Sequence, residues 1–141
     1  MEGNEPGFTN DPGYYGGSAE IRRNWTCEGF RVALEKDGAK FMDNGGVPEE
    51  CPCGMHLIYL VVRPDPDENV RDYHFYRKDA SQKTWSHKRG ESAVSRRDGS
   101  GKTIENPKGA DHRGTDKKAT WVECGFYCAP NRRRRWPDFP K

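Results

Sequence analysis

The sequence is short of aliphatic residues. Three Leu, three Ile, seven Val and six Phe make 19 of 141 residues, roughly 13%, a level at which disorder becomes common. Charge of one sign is lacking too: 24 basic residues against 22 acidic ones leave +2. The high net charge that accompanies wholesale disorder is therefore missing. Long apolar runs are absent. The longest, 56–62, holds six apolar residues, against the roughly 20 that a membrane-spanning helix needs, so no membrane role is expected. No basic region followed by a hydrophobic stretch opens the chain, so no signal peptide is visible. The expectation is a cytoplasmic protein unless a leader has been removed. No repeat with a period of roughly 20–50 residues occurs, which argues against a solenoid. No cofactor-binding signature is read, and no cofactor is expected.

Aromatic residues make up part of the deficit. Four Trp, six Tyr and six Phe can supply the bulky pieces of a small core in the middle and late chain. Residues 1–17 are Gly, Pro, Asn and Asp with isolated aromatics and read as an extended arm. Residues 18–131 read as a single domain, and 132–141, with four consecutive arginines, as a solvated basic tail.

Within the domain, Ile21, Trp25, Phe30, Ala33 and Leu34 recur at helical spacing and predict a helix over 21–37. Thr26 suits the N-cap of its stronger half, with Glu28 in the first turn, Lys36 in the last and Gly38 just beyond the end. The run 57–63 predicts a strand covered on both faces. Residues 72–78 and 83–88 predict a hairpin joined by 79–82. Residues 89–118 are polar and basic and read as a long surface excursion. Residues 119–129 predict a last strand, on which Val122, Cys124, Phe126 and Cys128 share one face by alternation. The fold class is α+β: one main helix packed on an antiparallel sheet of about four strands.

The cysteines are Cys27, Cys51, Cys53, Cys124 and Cys128, an odd number. Cys51-Pro-Cys53-Gly-Met-His56 resembles half of a zinc site, although C-x-C is tighter than the usual knuckle. Structural disulfides and ordinary reduced thiols are the other readings; no metal is assigned. Cys124 and Cys128 lie roughly 13 Å apart on an extended strand, too far to bond to each other. Cys51 or Cys53 is the natural partner of each. If Thr26 caps the helix, Cys27 sits in the first turn, where free N–H groups and the helix dipole favour a thiolate. A nucleophile would be placed there. The plainer reading makes Cys27 a small apolar residue facing the sheet.

The densest local signal is Tyr73-His74-Phe75-Tyr76-Arg77-Lys78-Asp79, followed by Trp85-Ser86-His87-Lys88-Arg89-Gly90. In a short hairpin His74 and His87 lie near each other. A strand histidine beside a helix-start cysteine is the minimum for thiol activation, with Asp72, Asp111 or Asn106 as the third group. The plainer reading for each histidine is a half-buried aromatic with no catalytic duty.

The stretch DYHFYRKD…TWSHKRGESAV…DGSGKTIENPKGAD resembles a block in an uncharacterised family of small proteins. There it reads roughly D-Y-H-W-Y-R-Q-D, W-S-H-K-P-G and D-x-S-G-x-x-I-x-D-P-R-x-A-D. The likeness covers residues 72–111 closely and extends more weakly from about Phe8 through the CGFYC strand. Members of that family carry an Asn-Cys-Tyr-x-Tyr-Ala segment similar to the nucleophile helix of papain-like cysteine hydrolases, including bacterial cell-wall amidases. The resemblance implies a papain-like core, with His74 as base and His87 and Asp111 as helpers. No N-C-Y-x-Y-A segment occurs in residues 1–26, and Cys27 falls where the family has a later cysteine. The resemblance thus implies a degenerate or uncharacterised hydrolase relative in which Cys27, if active, attacks a carbonyl.

A second class is a non-catalytic interaction subunit that contacts a protein partner through 1–17 and 132–141. Lys88-Arg89, Arg96-Arg97, Lys117-Lys118 and the run Arg132, Arg133, Arg134, Arg135, interleaved with Trp85, Trp121 and Trp136, also fit a weak contact with an acidic partner or nucleic acid. Asn24-Trp25-Thr26 is a glycosylation sequon that matters only in a secretory context.

Overall fold

A computed structural model describes residues 25–42, 50–67, 69–80, 82–88 and 93–131. The expected arm 1–17, the tail 132–141 and the first part of the expected helix, 21–24, lie outside the described residues. The helix that is described, α1, runs Cys27–Lys36. Thr26 takes an extended conformation and its Oγ1 accepts the Gly29 N–H at 3.0 Å, as an N-cap does. The helix closes at Asp37, and Gly38 follows with φ 99°. Ten residues are too few to hold a helix alone in water. Packing holds this one: Phe30, Ala33 and Leu34 are fully buried.

Among the described residues five strands form one antiparallel sheet. They are β1 (Lys40–Phe41), β2 (Met55–Arg63), β3 (Asp72–Lys78), β4 (Trp85–Ser86) and β5 (Val122–Pro130), in the order β1-β5-β2-β3-β4. The helix-on-sheet α+β architecture is as expected, with one strand more. β1 is two residues long and offers no period to read. The third expected strand, 83–88, contracts to Trp85–Ser86 because Asp79 draws its first residues into the turn. Asp79 N–H donates to the Thr84 carbonyl at 3.0 Å, and its carboxylate accepts from Thr84 Oγ1 at 2.7 Å and Ser86 Oγ at 2.8 Å. The last strand starts at Val122 rather than Ala119, since Ala119 N–H closes a turn on the Asp116 carbonyl at 3.1 Å.

β2 lies in the centre and its run Leu57–Val62 is buried on both faces. Ile58, Leu60 and Val62 meet α1 through Phe30, Ala33 and Leu34. Leu57, Tyr59 and Val61 face the other way, against Tyr76, Trp85, Ile104 and Phe126. One sheet thus divides two small cores.

The register of β5 on β2 shifts between Leu60 and Val61: Gly125 pairs with Leu60, but Glu123 pairs with Val61. Cys124 is the extra residue of a β-bulge, and Gly125 has φ 119°, a conformation that a side chain would strain. The bulge overturns the expectation that Cys124 and Cys128 share a face. Cys124 packs with the helix-side core and Cys128 belongs to the opposite one. Each makes its own disulfide. Cys27–Cys124 joins α1 to β5 with Cα atoms 5.2 Å apart, and Cys51–Cys128 ties the loop before β2 to β5 with Cα atoms 5.6 Å apart. The disulfide reading of the cysteines holds; the expected partner of Cys124 does not. Cys53 is the free cysteine and is exposed.

The bridges close segments 97 and 77 residues apart in sequence. Loops of that size restrict the unfolded chain by about 4–5 kcal/mol each in the chain-entropy account. Replacing Cys27 and Cys124 together by Ala is expected to lower unfolding free energy in urea by about 2–5 kcal/mol. Non-reducing peptide mapping of the natural chain should recover 27–124 and 51–128 cross-links; a 51–124 cross-link would refute the bulge assignment.

Candidate functional site

Alternation along β3 decides which side chains can meet. Tyr73 and Phe75 point toward α1, with the Phe30 and Tyr73 ring centroids 5.2 Å apart. His74 and Tyr76 therefore point to the far face, where His74 pairs in register with Val61. The turn to β4 places Lys78 opposite Trp85 and Arg77 opposite Ser86, so His87 arrives beside Tyr76, with ring centroids 4.9 Å apart. His74 Nε2 and His87 Nδ1 are 2.7 Å apart, and His87 Nε2 is 2.7 Å from the Arg97 carbonyl. A carbonyl only accepts, so His87 Nε2 carries the proton and its Nδ1 accepts from His74 Nε2–H.

A second chain of hydrogen bonds runs beside the first. Tyr76 Oη lies 2.8 Å from His112 Nδ1, and His112 Nε2 lies 2.8 Å from Glu123 Oε2. The carboxylate accepts, which fixes His112 as the Nε2–H tautomer and leaves Nδ1 to accept the Tyr76 hydroxyl. Gly109 N–H donates to the same Glu123 oxygen at 2.5 Å, and the Tyr59 hydroxyl also bonds this carboxylate. Burial opposes the Glu123 charge, but the Gly109 N–H, His112 and Tyr59 outweigh it and hold its carboxyl below the usual range.

Hydroxyl, imidazole and carboxylate stand here in the order of an acid–base relay. Burial encloses that order among the described residues. Tyr76 is fully buried, and His74, His87 and His112 are exposed by 9%, 5% and 7%. The network instead pins the surface excursion to the sheet: Arg97, Gly109 and His112 come from the excursion, and Tyr76 and Glu123 from strands. Sequence reasoning placed Tyr76 in the strand motif without a partner and missed His112 and Glu123. No local spacing marks them, because partners 36 and 11 residues apart meet only through the fold.

The structure brings His74 and His87 together but brings neither Cys27 nor Asp111 to them. Cys27 is bonded to Cys124 and so holds no thiol, and it sits on the helix side of a sheet whose other side carries His74. The expected thiol–imidazole pair is corrected on both counts. Asp111 receives Arg113 Nε at 2.8 Å, Arg113 Nη2 at 3.0 Å and Ser100 Oγ at 2.6 Å. The Arg113 guanidinium holds its carboxyl far below the usual range. This carboxylate fixes a turn rather than an imidazole. Asn106 Oδ1 accepts the Lys108 N–H at 3.0 Å and Asp72 Oδ1 the Tyr73 N–H at 2.8 Å, so both serve their own backbone. The half zinc site loses Cys51 to Cys128 and His56 to Asn131 Oδ1, 2.8 Å from its Nδ1. Among the described residues no group of three or more His, Cys, Asp or Glu is placed to hold a metal.

Comparisons with protein-family models, with curated proteins and with solved structures find no match.

His87→Ala strands the His74 donor and the Arg97 carbonyl, and should cost about 2–4 kcal/mol of stability in urea unfolding. Long-range ¹⁵N–¹H correlation spectra at neutral pH should show both His87 and His112 as Nε2–H tautomers. Burial, with the Arg77 charge adding to it, lowers the His56 pKa to about 4. Unfolding returns it to roughly 6.5, so between those values the unfolded chain binds more protons and stability rises with pH. Unfolding free energy should fall by up to about 3 kcal/mol between pH 7 and pH 4 from this group. That part of the slope should vanish in His56→Gln.

Proposed function

We propose that this chain is a non-catalytic relative of papain-like cysteine hydrolases that works as an interaction domain. The DYHFYRKD and WSHKRG segments and a helix set against an antiparallel sheet support the papain-like ancestry. One observation carries the loss of catalysis: Cys27 is half of a disulfide on the sheet face opposite His74. A thiol hydrolase needs a thiolate within hydrogen-bond reach of its imidazole. Here the sulfur has no proton to give, and the imidazole is engaged with His87.

Two disulfides also favour an oxidising compartment as the place of folding and work. By composition, 1–17 and 132–141 are the segments proposed to contact a protein partner, the arginines 132–135 favouring an acidic one.

The test is a thiol-directed electrophile on the oxidised chain, followed by peptide mapping, together with an amide-hydrolysis assay on peptide and cell-wall substrates. Labelling is expected at Cys53 alone, and hydrolysis is expected to stay at background in the natural chain and in His74→Ala. Turnover that disappears in Cys27→Ala or His74→Ala would overturn the reading.

A further inference from the structure

We infer that the surface formed by the 97–103 turn and the 113–118 segment binds a sulfated polysaccharide. The inference rests on the reading of this chain as an interaction domain and names the class of partner.

The two segments share one surface. Gly99 N–H donates to the Asp111 carbonyl at 2.8 Å, and a β-carbon on Gly99 would stand 2.2 Å from the Arg113 carbonyl oxygen. No side chain fits at that approach, and the glycine lets the backbones touch. Lys117 Nζ then reaches across to the Gly99 carbonyl at 2.9 Å, and Arg113 Nη1 to the Lys117 carbonyl at 3.0 Å. Arg97 Nη1 closes the turn on the Gly101 carbonyl at 3.0 Å.

Two carboxylates of this surface are paired with arginines and one is held by backbone alone. Asp111 is held by Arg113 and Asp116 by Arg63 at 2.8 Å. Asp98 accepts three backbone N–H groups, from Ser100, Lys102 and Asp111. The cations divide differently. Arg97 and Lys117 are anchored on neutral carbonyls, which orient them and leave their charge whole. Among the described residues Arg97, Lys102 and Lys117 have no carboxylate partner, Lys118 lies within the field of Asp116, and the three lysines are exposed. Three cations without a carboxylate partner, two of them fixed by backbone, outnumber the one carboxylate here that no arginine holds, Asp98, and present an array for spaced anionic groups.

The aromatics distinguish a polysaccharide from a nucleic acid. Single-stranded nucleic acid needs exposed rings on which bases stack. Trp85 is fully buried, Trp121 packs against the far-face core, and Trp25 packs on Phe30 and Tyr73. The exposed large hydrophobic residues described are Val32, Val94 and Val122, none of them aromatic. Sulfate groups need only cations and N–H donors. The two disulfides favour an oxidising compartment, apart from the nucleic acid of the cytosol and nucleus.

The experiment titrates the full-length oxidised chain into a fluorescent heparin octasaccharide across a salt series. The triple variant K102E/K117E/K118E is compared with K36E/K40E/K83E, which makes the same charge change at exposed lysines elsewhere. The first is expected to weaken binding by about tenfold or more and to flatten the log–log salt slope by about two to three. The second should change affinity by less than about threefold. Near-UV circular dichroism checks the fold, and K102Q/K117Q/K118Q gives the same reading if the charge reversals fail to fold. A variant with Arg132, Arg133, Arg134 and Arg135 all changed to Ser should retain binding. The inference is overturned if the natural chain does not bind, if both triple variants lose affinity equally, if the Ser variant abolishes binding, or if DNA of matched length binds more tightly. Each of these outcomes leaves the non-catalytic reading standing, and that reading fails on hydrolysis rather than on heparin.

Discussion

One extra residue in β5 decides how the two faces of this sheet are furnished. A strand that alternated regularly from Glu123 to Pro130 would put Cys124 on the face of Cys128. The bulge at Cys124 and Gly125 reverses parity partway along. Cys124 turns to the helix and finds Cys27, while Glu123 falls on the far face and finds His112. Removing the bulge would deprive α1 of its covalent tie and the imidazole network of its carboxylate in one step. The need for glycine at position 125 follows from the φ of 119° there.

The thin aliphatic supply sets the second constraint. Neither core is large. The helix side depends on three buried residues of α1, supported by the Trp25, Phe30 and Tyr73 rings. The far side is built from Tyr59, Tyr76, Trp85 and Phe126 around few aliphatics. Aromatic rings carry hydroxyl and N–H groups into the interior, and those groups need partners. Tyr76 finds His112 and Tyr59 finds Glu123. Trp85 Nε1 and Trp121 Nε1 find no acceptor among the described residues. Disulfides of long span complement cores of this kind.

Local chemistry made part of this legible in the sequence. Thr26, Glu28 and Lys36 marked α1, because caps and dipole partners act within one turn. Residues 72–78 were readable as a strand, and the short connection 79–82 implied that His74 and His87 would be neighbours. What failed was whatever depended on distant chain. The parity of Cys124 was read from an unbroken strand, and a bulge is invisible until the partner strand is known. His112 sat in a polar stretch without period, and Glu123 resembled any exposed strand acid. Cys27 was placed correctly at the helix start, but its chemistry depended on a sulfur 97 residues away.

The excursion shows why inner and outer chemistry are joined in this molecule. Its consecutive residues Asp111, His112 and Arg113 serve separate ends. His112 turns inward to Tyr76 and Glu123, while Asp111 and Arg113 clamp each other and hold the 98–102 turn. Arg97 is split in the same way: its carbonyl accepts from His87 beneath, and its guanidinium closes the turn above. The buried imidazoles therefore fix the backbone from which the surface cations project. A change that loosens His87 or His112 reaches the outer surface through a single residue's backbone. The histidines thus have a structural use, and that use accounts for a buried polar network on the sheet face opposite Cys27.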